Sequence, residues 1–340
     1  MKKSNLTILF FILLSSTTQL YSENTTWKFV VMGDTRDKTT ATLTGISPDL
    51  PALVQAIAAE KPELVIHTGD LCNGYYTDKN SPMHGKFTEM FRNWKKAIRP
   101  LCDLETKKGI PLYVIRCNHE DGKFTTDDEL KKAYLDEIAR YLPQNGPQEE
   151  RGLTYSFTHK GARFLALDGY YDKKAKIIRG YINQKWVDQD LAKNSRSFVF
   201  AYSHAPAYQV GTYHESPFPD LYSHPTQRDV FWKSLRQAGA SAYFCGHIHL
   251  YCRGTINGVE QIVVGNGGAD NVGYDPKNTD RRIQMHYPRK IVPVSAIGLG
   301  YLVITVDEQK GTLKGEQKVL NQKTGKWEVG DSFSLKKVRS

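Results

Sequence analysis

The chain has 340 residues, 40% of them hydrophobic and 24% charged, with a formal net charge of +10. Its Lys and Arg residues are scattered, with no repeated aromatic–basic pattern, which argues against nucleic-acid binding and for a solvated basic surface that at most steers anionic substrates modestly. Five cysteines leave at least one unpaired within the chain, which excludes a fully paired set of disulfides.

The first 22 residues read as a secretory signal. Lys2 and Lys3 precede the apolar run Leu6 to Leu14, and small polar residues follow up to Ser22. That run falls short of the about 20 residues needed to cross ~30 Å of hydrocarbon, so cleavage after Ser22 and export, periplasmic or secreted, are expected. No Cys follows the run, which argues against a lipid anchor, and no later stretch is long and apolar enough to span a membrane. About 318 residues then remain, enough for one large α/β domain or two small ones.

Strands and helical stretches alternate from there. Trp27–Met32 reads as a strand, Leu50–Lys61 as a helix with apolar residues at Leu50, Leu53, Val54, Ile57 and Ala58, and Leu64–Thr68 as a strand. A long helix is expected from about Phe87 to Lys107, then the strand Pro111–Arg116 and a helix near Asp127–Tyr141. Tyr155–Phe157 and Arg163–Leu167 predict a hairpin around His159-Lys160-Gly161. Gln184–Lys193 and Gln227–Ala238 read as helices, each followed by a strand, Phe198–Tyr202 and Ala242–Cys245. Gln261–Val264 and Tyr301–Val306 add late strands. The expected division is a signal at 1–22, a main domain at 27–306, and a small antiparallel β extension at 307–340. This order suggests a layered sheet sandwich flanked by helices, with functional residues on the strand-to-helix loops.

Five short strings sit at strand ends: Gly33-Asp34-Thr35-Arg36, Gly69-Asp70-Leu71, Cys117-Asn118-His119-Glu120, Ser203-His204-Ala205-Pro206 and Gly246-His247-Ile248-His249. Carboxylates, an amide and imidazoles gathered at one sheet edge suit two divalent or trivalent ions sharing a carboxylate, an arrangement used for in-line displacement at phosphorus. Such residues at strand ends also serve as caps and turn formers; five strings in order weigh against that alternative. Cys72, Cys117 and Cys245 lie in or beside the strings and read as small packing residues, with a Cys117–Cys245 bridge conceivable.

These strings resemble the calcineurin-like metallophosphoesterase superfamily over about Trp27 to Val306. The segments His204-Ala205-Pro206-Ala207-Tyr208, His249-Leu250-Tyr251 with Arg253, and Gly265-Asn266-Gly267-Gly268-Ala269 look most like its purple acid phosphatase branch and small bacterial relatives. The resemblance implies an α/β fold, a four-layer α/β/β/α sandwich, and a metal-dependent phosphoric ester hydrolase with two metal ions (Fe, Mn or Zn) and a metal-bridged hydroxide as nucleophile. Carried across, Asp34 and His249 would ligate the first metal, Asp70 would bridge both, and Asn118, His204 and His247 would complete the second site. His119 would face the phosphate and protonate the leaving group or stabilise charge, oriented by Glu120 or another carboxylate. His214, ten residues after His204, sits where that branch often has a further substrate-facing histidine.

Two positions depart from the pattern. Arg36 stands where much of the superfamily has a histidine, and a guanidinium cannot ligate a metal. It could instead hold a phosphate oxygen bidentately or form a structural salt bridge. Asn73 stands where purple enzymes carry a tyrosine, with Tyr75 and Tyr76 two and three positions later. Asp168 reads as a structural turn residue, Tyr170, Tyr171, Tyr208 and Tyr213 as candidates to line a cleft, and His84, His159, His224 and His286 as surface or loop histidines. The expected function is therefore phosphomonoester hydrolysis on a small-molecule substrate. Phosphodiester cleavage in the same site, or a non-catalytic binding protein on a degraded first metal site, are the alternatives; substrate identity and oligomeric state are open.

Overall fold

The computed structural model describes residues 25–37, 43–74, 82–120, 128–170, 180–211, 221–270, 274–283 and 298–337. The expected signal, together with Tyr75, Tyr76, Tyr171, Tyr213, His214 and His286, lies outside the described residues. In chain order the elements are β1 (Thr26–Met32), α1 (Leu50–Ala59), β2 (Leu64–His67), α2 (Phe87–Ile98), β3 (Cys102–Asp103), β4 (Lys108–Gly109), β5 (Leu112–Val114), α3 (Asp128–Glu137), β6 (Tyr155–His159), β7 (Ala162–Ala166), α4 (Gln184–Ala192), β8 (Phe198–Tyr202), α5 (Pro225–Gln237), β9 (Ala242–Cys245), β10 (Tyr251–Ile256), β11 (Val259–Val264), β12 (Gly300–Asp307), β13 (Thr312–Asn321) and β14 (Lys326–Lys336).

Strand residues alternate between two cores, and that alternation stacks the layers. On β8, Phe198, Phe200 and Tyr202 join the core shared with the first sheet, whereas Val199 and Ala201 face the other way, into the core with α4 and α5. The neighbouring strands repeat the pattern: Phe164 and Phe244 point inward, Leu165 and Tyr243 outward. Phe29 of β1 meets Phe164, Phe200 and Phe244 at ring distances of 5.3, 5.1 and 5.9 Å, so aromatic residues fill the space between the sheets. Leu50, Leu53, Val54 and Ile57 turn one face of α1 onto the first sheet, and α2 adds Phe87, Met90, Phe91, Trp94 and Ile98 to the same core. The result is the expected α/β/β/α sandwich.

The first sheet runs β14-β13-β12-β1-β2-β5 and the second β10-β11-β9-β8-β7-β6. β1, β2 and β5 are parallel, as are β7, β8, β9 and β11. Parallel order sends their C-terminal ends to one edge, which is where all five strings emerge. β13 and β14 continue the first sheet antiparallel beyond β12. Asp331 of β14 accepts hydrogen bonds from the Tyr251 hydroxyl (2.8 Å) and Arg253 Nε (2.7 Å), tying β14 to β10 in the second sheet.

One expected element is shortened and one strand is added. The helix expected over Phe87 to Lys107 ends at Ile98, because Pro100 has no N–H to donate to the Lys96 carbonyl and its ring crowds that oxygen. The chain then makes the two-residue strands β3 and β4, joined by a turn in which Asp103 Oδ1 accepts from the Glu105 and Thr106 N–H groups. β10 was not anticipated beside the histidine string. It is an edge strand in which Gly254 is required, since a Cβ there would lie 2.4 Å from the Arg282 carbonyl oxygen.

Candidate metal centre

Three of the expected ligands occupy left-handed backbone. Asp34, Asp70 and His247 have φ of 58°, 57° and 71°, a region that costs a non-glycine residue roughly 1–2 kcal/mol. Side chains held there at a cost are a mark of functional turns. Each follows a glycine whose missing Cβ leaves room for a neighbour: a Cβ on Gly33 would lie 1.9 Å from Thr68 Oγ1, and one on Gly246 would lie 2.1 Å from Asp34 Oδ2. Backbone bonds lock the turns together. Asp34 N–H donates to Gly69 O (2.9 Å), Thr35 N–H to Asp70 O (2.8 Å) and Ala269 N–H, from the glycine-rich turn, to Asp34 O (3.0 Å).

The side chains divide across the Asp70 carboxylate. On its Oδ1 side lie His204 Nε2 at 3.4 Å and the Cys117 thiol. His247 Nδ1 is 3.2 Å from both His204 Nε2 and Asn118 Oδ1. On its Oδ2 side lie Arg36 Nε at 3.1 Å, His249 Nε2 at 3.7 Å and His119 Nε2 at 3.9 Å. Asp34 Oδ1 is 3.5 Å from His249 Nε2 and accepts the His247 backbone N–H at 3.0 Å. Asp34, Asp70 and His249 form one group whose ligand atoms all lie within 4.8 Å of one another, and Asp70, Cys117 and His204 form another.

Carbonyl oxygens fix the tautomers. His204 Nδ1 donates to Thr68 O (2.8 Å) and His249 Nδ1 to Asp270 O (2.5 Å), so both Nε2 atoms are unprotonated and turned toward the carboxylates, with His247 Nδ1 3.2 Å from that of His204. Burial pushes the Asp34 carboxyl well up, with Asp70 adding to the effect. Burial also acts to raise Asp70, but His119, His204 and the permanent charge of Arg36 outweigh it and hold Asp70 well below the usual carboxylate range. Burial pushes His119 and His249 down and raises Glu120 to about 8 with help from Asp70. Asp34 Oδ2 is fully buried and has no hydrogen-bond partner among the described residues. An orphaned carboxylate oxygen beside imidazoles with unprotonated Nε2 atoms turned toward the carboxylates fits a metal cation, and the two groups around Asp70 fit a pair of them.

Asp34, Asp70, Asn118, His204, His247 and His249 thus come together as the sequence suggested. Arg36 is turned inward: besides Asp70 it donates from Nη1 to Asp37 O (2.9 Å), and only 3% of the residue is exposed. Glu120 does not orient the His119 ring. Its carboxylate accepts the backbone N–H groups of Leu71 (2.9 Å), Cys72 (3.4 Å) and Cys117 (3.1 Å), clamping the second string to the third. Cys117 and Cys245 are not bridged, and all five cysteines are buried free thiols. Asp168 is structural, paired with the fully buried Arg116 at 2.8 Å. Tyr208 packs against Trp232, with Arg228 and Arg282 over its ring, and with them lines a cavity of about 290 Å³ that includes none of the expected metal ligands.

Sequence reasoning missed the support beneath the two aspartates. His67 Nδ1 accepts Gly69 N–H (3.1 Å), which leaves its proton on Nε2 for Thr35 Oγ1 (3.0 Å); Trp94 Nε1 donates to the same oxygen at 3.1 Å. Thr35 passes its own proton toward Leu71 O at 3.3 Å. The periodicity of α2 marked Trp94 as core, but nothing local marked its indole N–H as a support of the site.

Two facing sheets with metal-ligand groups on either side of one shared carboxylate define the metallophosphoesterase class of sandwich. Over residues 28–251 the chain matches the family described as calcineurin-like phosphoesterase, and it belongs to that family. No curated protein sequence matches it. Among solved structures it is similar to purple acid phosphatase PPD1 from yellow lupin (Lupinus luteus) seeds, with 19% identity and a TM-score of 0.60, covering 92% of this chain and 54% of that one. GAP50, the anchor in the inner membrane complex of Plasmodium, aligns with 15% identity and a TM-score of 0.58, covering 92% and 90%. PhoD aligns with 15% identity and a TM-score of 0.57, covering 92% and 70%. These likenesses are of fold, and the chain spans about half the length of the lupin protein.

Proposed function

We propose that the protein is an exported, metal-dependent phosphoester hydrolase that acts on monoesters. The observation that carries the hydrolase reading is the division of donors across Asp70: Asp34 and His249 toward Oδ2, Asn118, His204 and His247 toward Oδ1. When bound there, two metal ions supply charge neutralisation at the phosphoryl oxygens and activation of a water nucleophile. The chain's own residues do the rest. Asn118 offers a neutral amide oxygen and so limits negative charge between the cations. Thr68 O and Asp270 O hold the His204 and His249 tautomers that keep Nε2 free for ligation. His119, almost buried at 5% exposure, reaches the Oδ2 side; its imidazolium form, which the charge of a bound phosphate would favour, would give a proton to the departing alcohol oxygen.

The preference for monoesters rests on the likeness to the purple acid phosphatase branch, and export rests on the amino-terminal segment. Relative turnover of mono- and bis-nitrophenyl phosphate tests the first; equal or better diester turnover would assign the site to diesters instead. The mass of the mature amino terminus in the exporting cell tests the second.

Arg36 on Asp70 favours a second reading, in which the first site has been given up and the scaffold binds without catalysis. One of the structural neighbours is described as an anchor. Elemental analysis after purification with Mn, Fe or Zn separates the readings: fewer than one metal per chain and no hydrolysis under added metal would support the binding protein.

A further inference from the structure

The third string opens with a cysteine whose sulfur points at the metal centre, and packing alone does not explain its surroundings. Cys117 Sγ lies in hydrogen-bond contact with Asp70 Oδ1 and with Glu120 Oε2, and it accepts the His119 backbone N–H at 3.1 Å. A buried thiol acting as a small hydrophobe packs against carbon; this one has three polar neighbours. The oxygen it touches is the one that His204 Nε2 faces at 3.4 Å. Sulfur, carboxylate oxygen and imidazole nitrogen lie within 4.8 Å of one another, a separation that one ion between them closes. His247 Nδ1, 3.2 Å from His204 Nε2, extends the same group. The orientation of His204 is an observation independent of the cysteine: the Thr68 carbonyl takes its Nδ1 proton, which turns an unprotonated Nε2 toward the same space.

We propose that Cys117 is a ligand of the second metal, bound as its thiolate beside Asp70, His204, His247 and Asn118. This rests on the reading of the site as a metal centre. On binding, the S–H bond gives way to a sulfur–metal bond and the proton leaves to solvent, with no change of oxidation state. The consequence is a choice of metal. A mixed N/O/S set selects softer or borderline ions, Zn²⁺, Co²⁺ or Fe²⁺, over Mg²⁺ and Mn²⁺. The second site therefore holds zinc or cobalt in preference to manganese, and the sulfur sets that preference.

The test uses the full chain stripped by a chelator and reloaded with Co²⁺. A near-ultraviolet thiolate-to-cobalt charge-transfer band is expected in the wild type and in Cys72→Ser, and is expected to vanish in Cys117→Ser. The ratio of Zn²⁺ to Mn²⁺ affinity should fall about tenfold or more in Cys117→Ser. X-ray absorption of the zinc-loaded wild type needs no variant and should show sulfur at about 2.3 Å, about half a sulfur per zinc with both sites filled. Cobalt bound without the band, a band that survives Cys117→Ser, or a zinc shell of only nitrogen and oxygen would overturn the thiolate while leaving the metal centre standing. A wild type that takes up no Co²⁺ or Zn²⁺ would overturn both, and metal content alone distinguishes that outcome.

Discussion

Arg36 Nε stands 3.1 Å from Asp70 Oδ2, the same oxygen that His249 Nε2 approaches to 3.7 Å. A first-site metal would share that oxygen with a guanidinium. Two unit charges about 4 Å apart repel by about 4 kcal/mol at an effective dielectric constant of 20, and a divalent ion doubles the term. Both side chains are buried, so solvent screens little of it. Arg36→Met is therefore expected to tighten binding of the weaker metal equivalent at least tenfold, read by titration calorimetry on the metal-free protein. An unchanged isotherm would mean that the guanidinium swings away from Asp70 when metal enters.

The glycine of the fifth string has a distinct role. A Cβ on Gly246 would stand 2.1 Å from Asp34 Oδ2 and 2.9 Å from Thr68 Oγ1. Asp34 must then rotate away, taking its orphaned oxygen out of the first group. Gly246→Ala should lower metal content from two equivalents per chain to one, with the remaining ion at the Asn118, His204 and His247 side. Retention of two equivalents by elemental analysis would show that Asp34 Oδ2 is not a ligand atom.

Acid sensitivity should follow from His67. Burial holds its imidazole down at about 3 against an unfolded value of about 6.5. The unfolded chain takes up the proton first as pH falls, so stability is complete above about pH 6.5 and is lost steadily toward pH 3. One such group accounts for about 2 kcal/mol between pH 7 and pH 5. Protonation at Nδ1 would also displace the Gly69 N–H that it accepts. Urea midpoints of the metal-free protein at those two pH values should differ less in His67→Gln than in the wild type. Equal differences would move the acid sensitivity to the other buried histidines.

The ligand set was legible because strand ends announce themselves: a short β-branched or aromatic run stops, and polar residues, in three of the five strings led by glycine, follow. What escaped depended on distance along the chain. Arg36 meets Asp70 34 residues away, and Trp94 meets Thr35 59 residues away. Neither pairing leaves a periodic trace, so the sequence left phosphate contact and salt bridge equally open for the guanidinium. The Cys117 sulfur was read as packing because burial and small size are shared by inert and ligating cysteines; only its position against Asp70 Oδ1 separates them. The overrun of α2 has a plainer cause. Apolar spacing continues through Leu101, and Pro100 acts through its missing N–H rather than on the pattern.

His119 and Asp70 should part company when each is removed. Asp70 carries both oxygens that the two groups share, so Asp70→Ala should empty the centre of metal. His119 Nε2 is 3.9 Å from Asp70 Oδ2 and belongs to neither ligand group. His119→Ala should keep both ions while turnover of alkyl phosphates falls by about 10²–10⁴-fold, the usual cost of losing a general acid. The loss should shrink for nitrophenyl phosphate, whose leaving group departs with little need of a proton. Metal content measured beside turnover on both substrate types decides the matter. Metal lost as readily from His119→Ala as from Asp70→Ala would make His119 a ligand, and an equal loss of rate on both substrates would remove it from proton transfer.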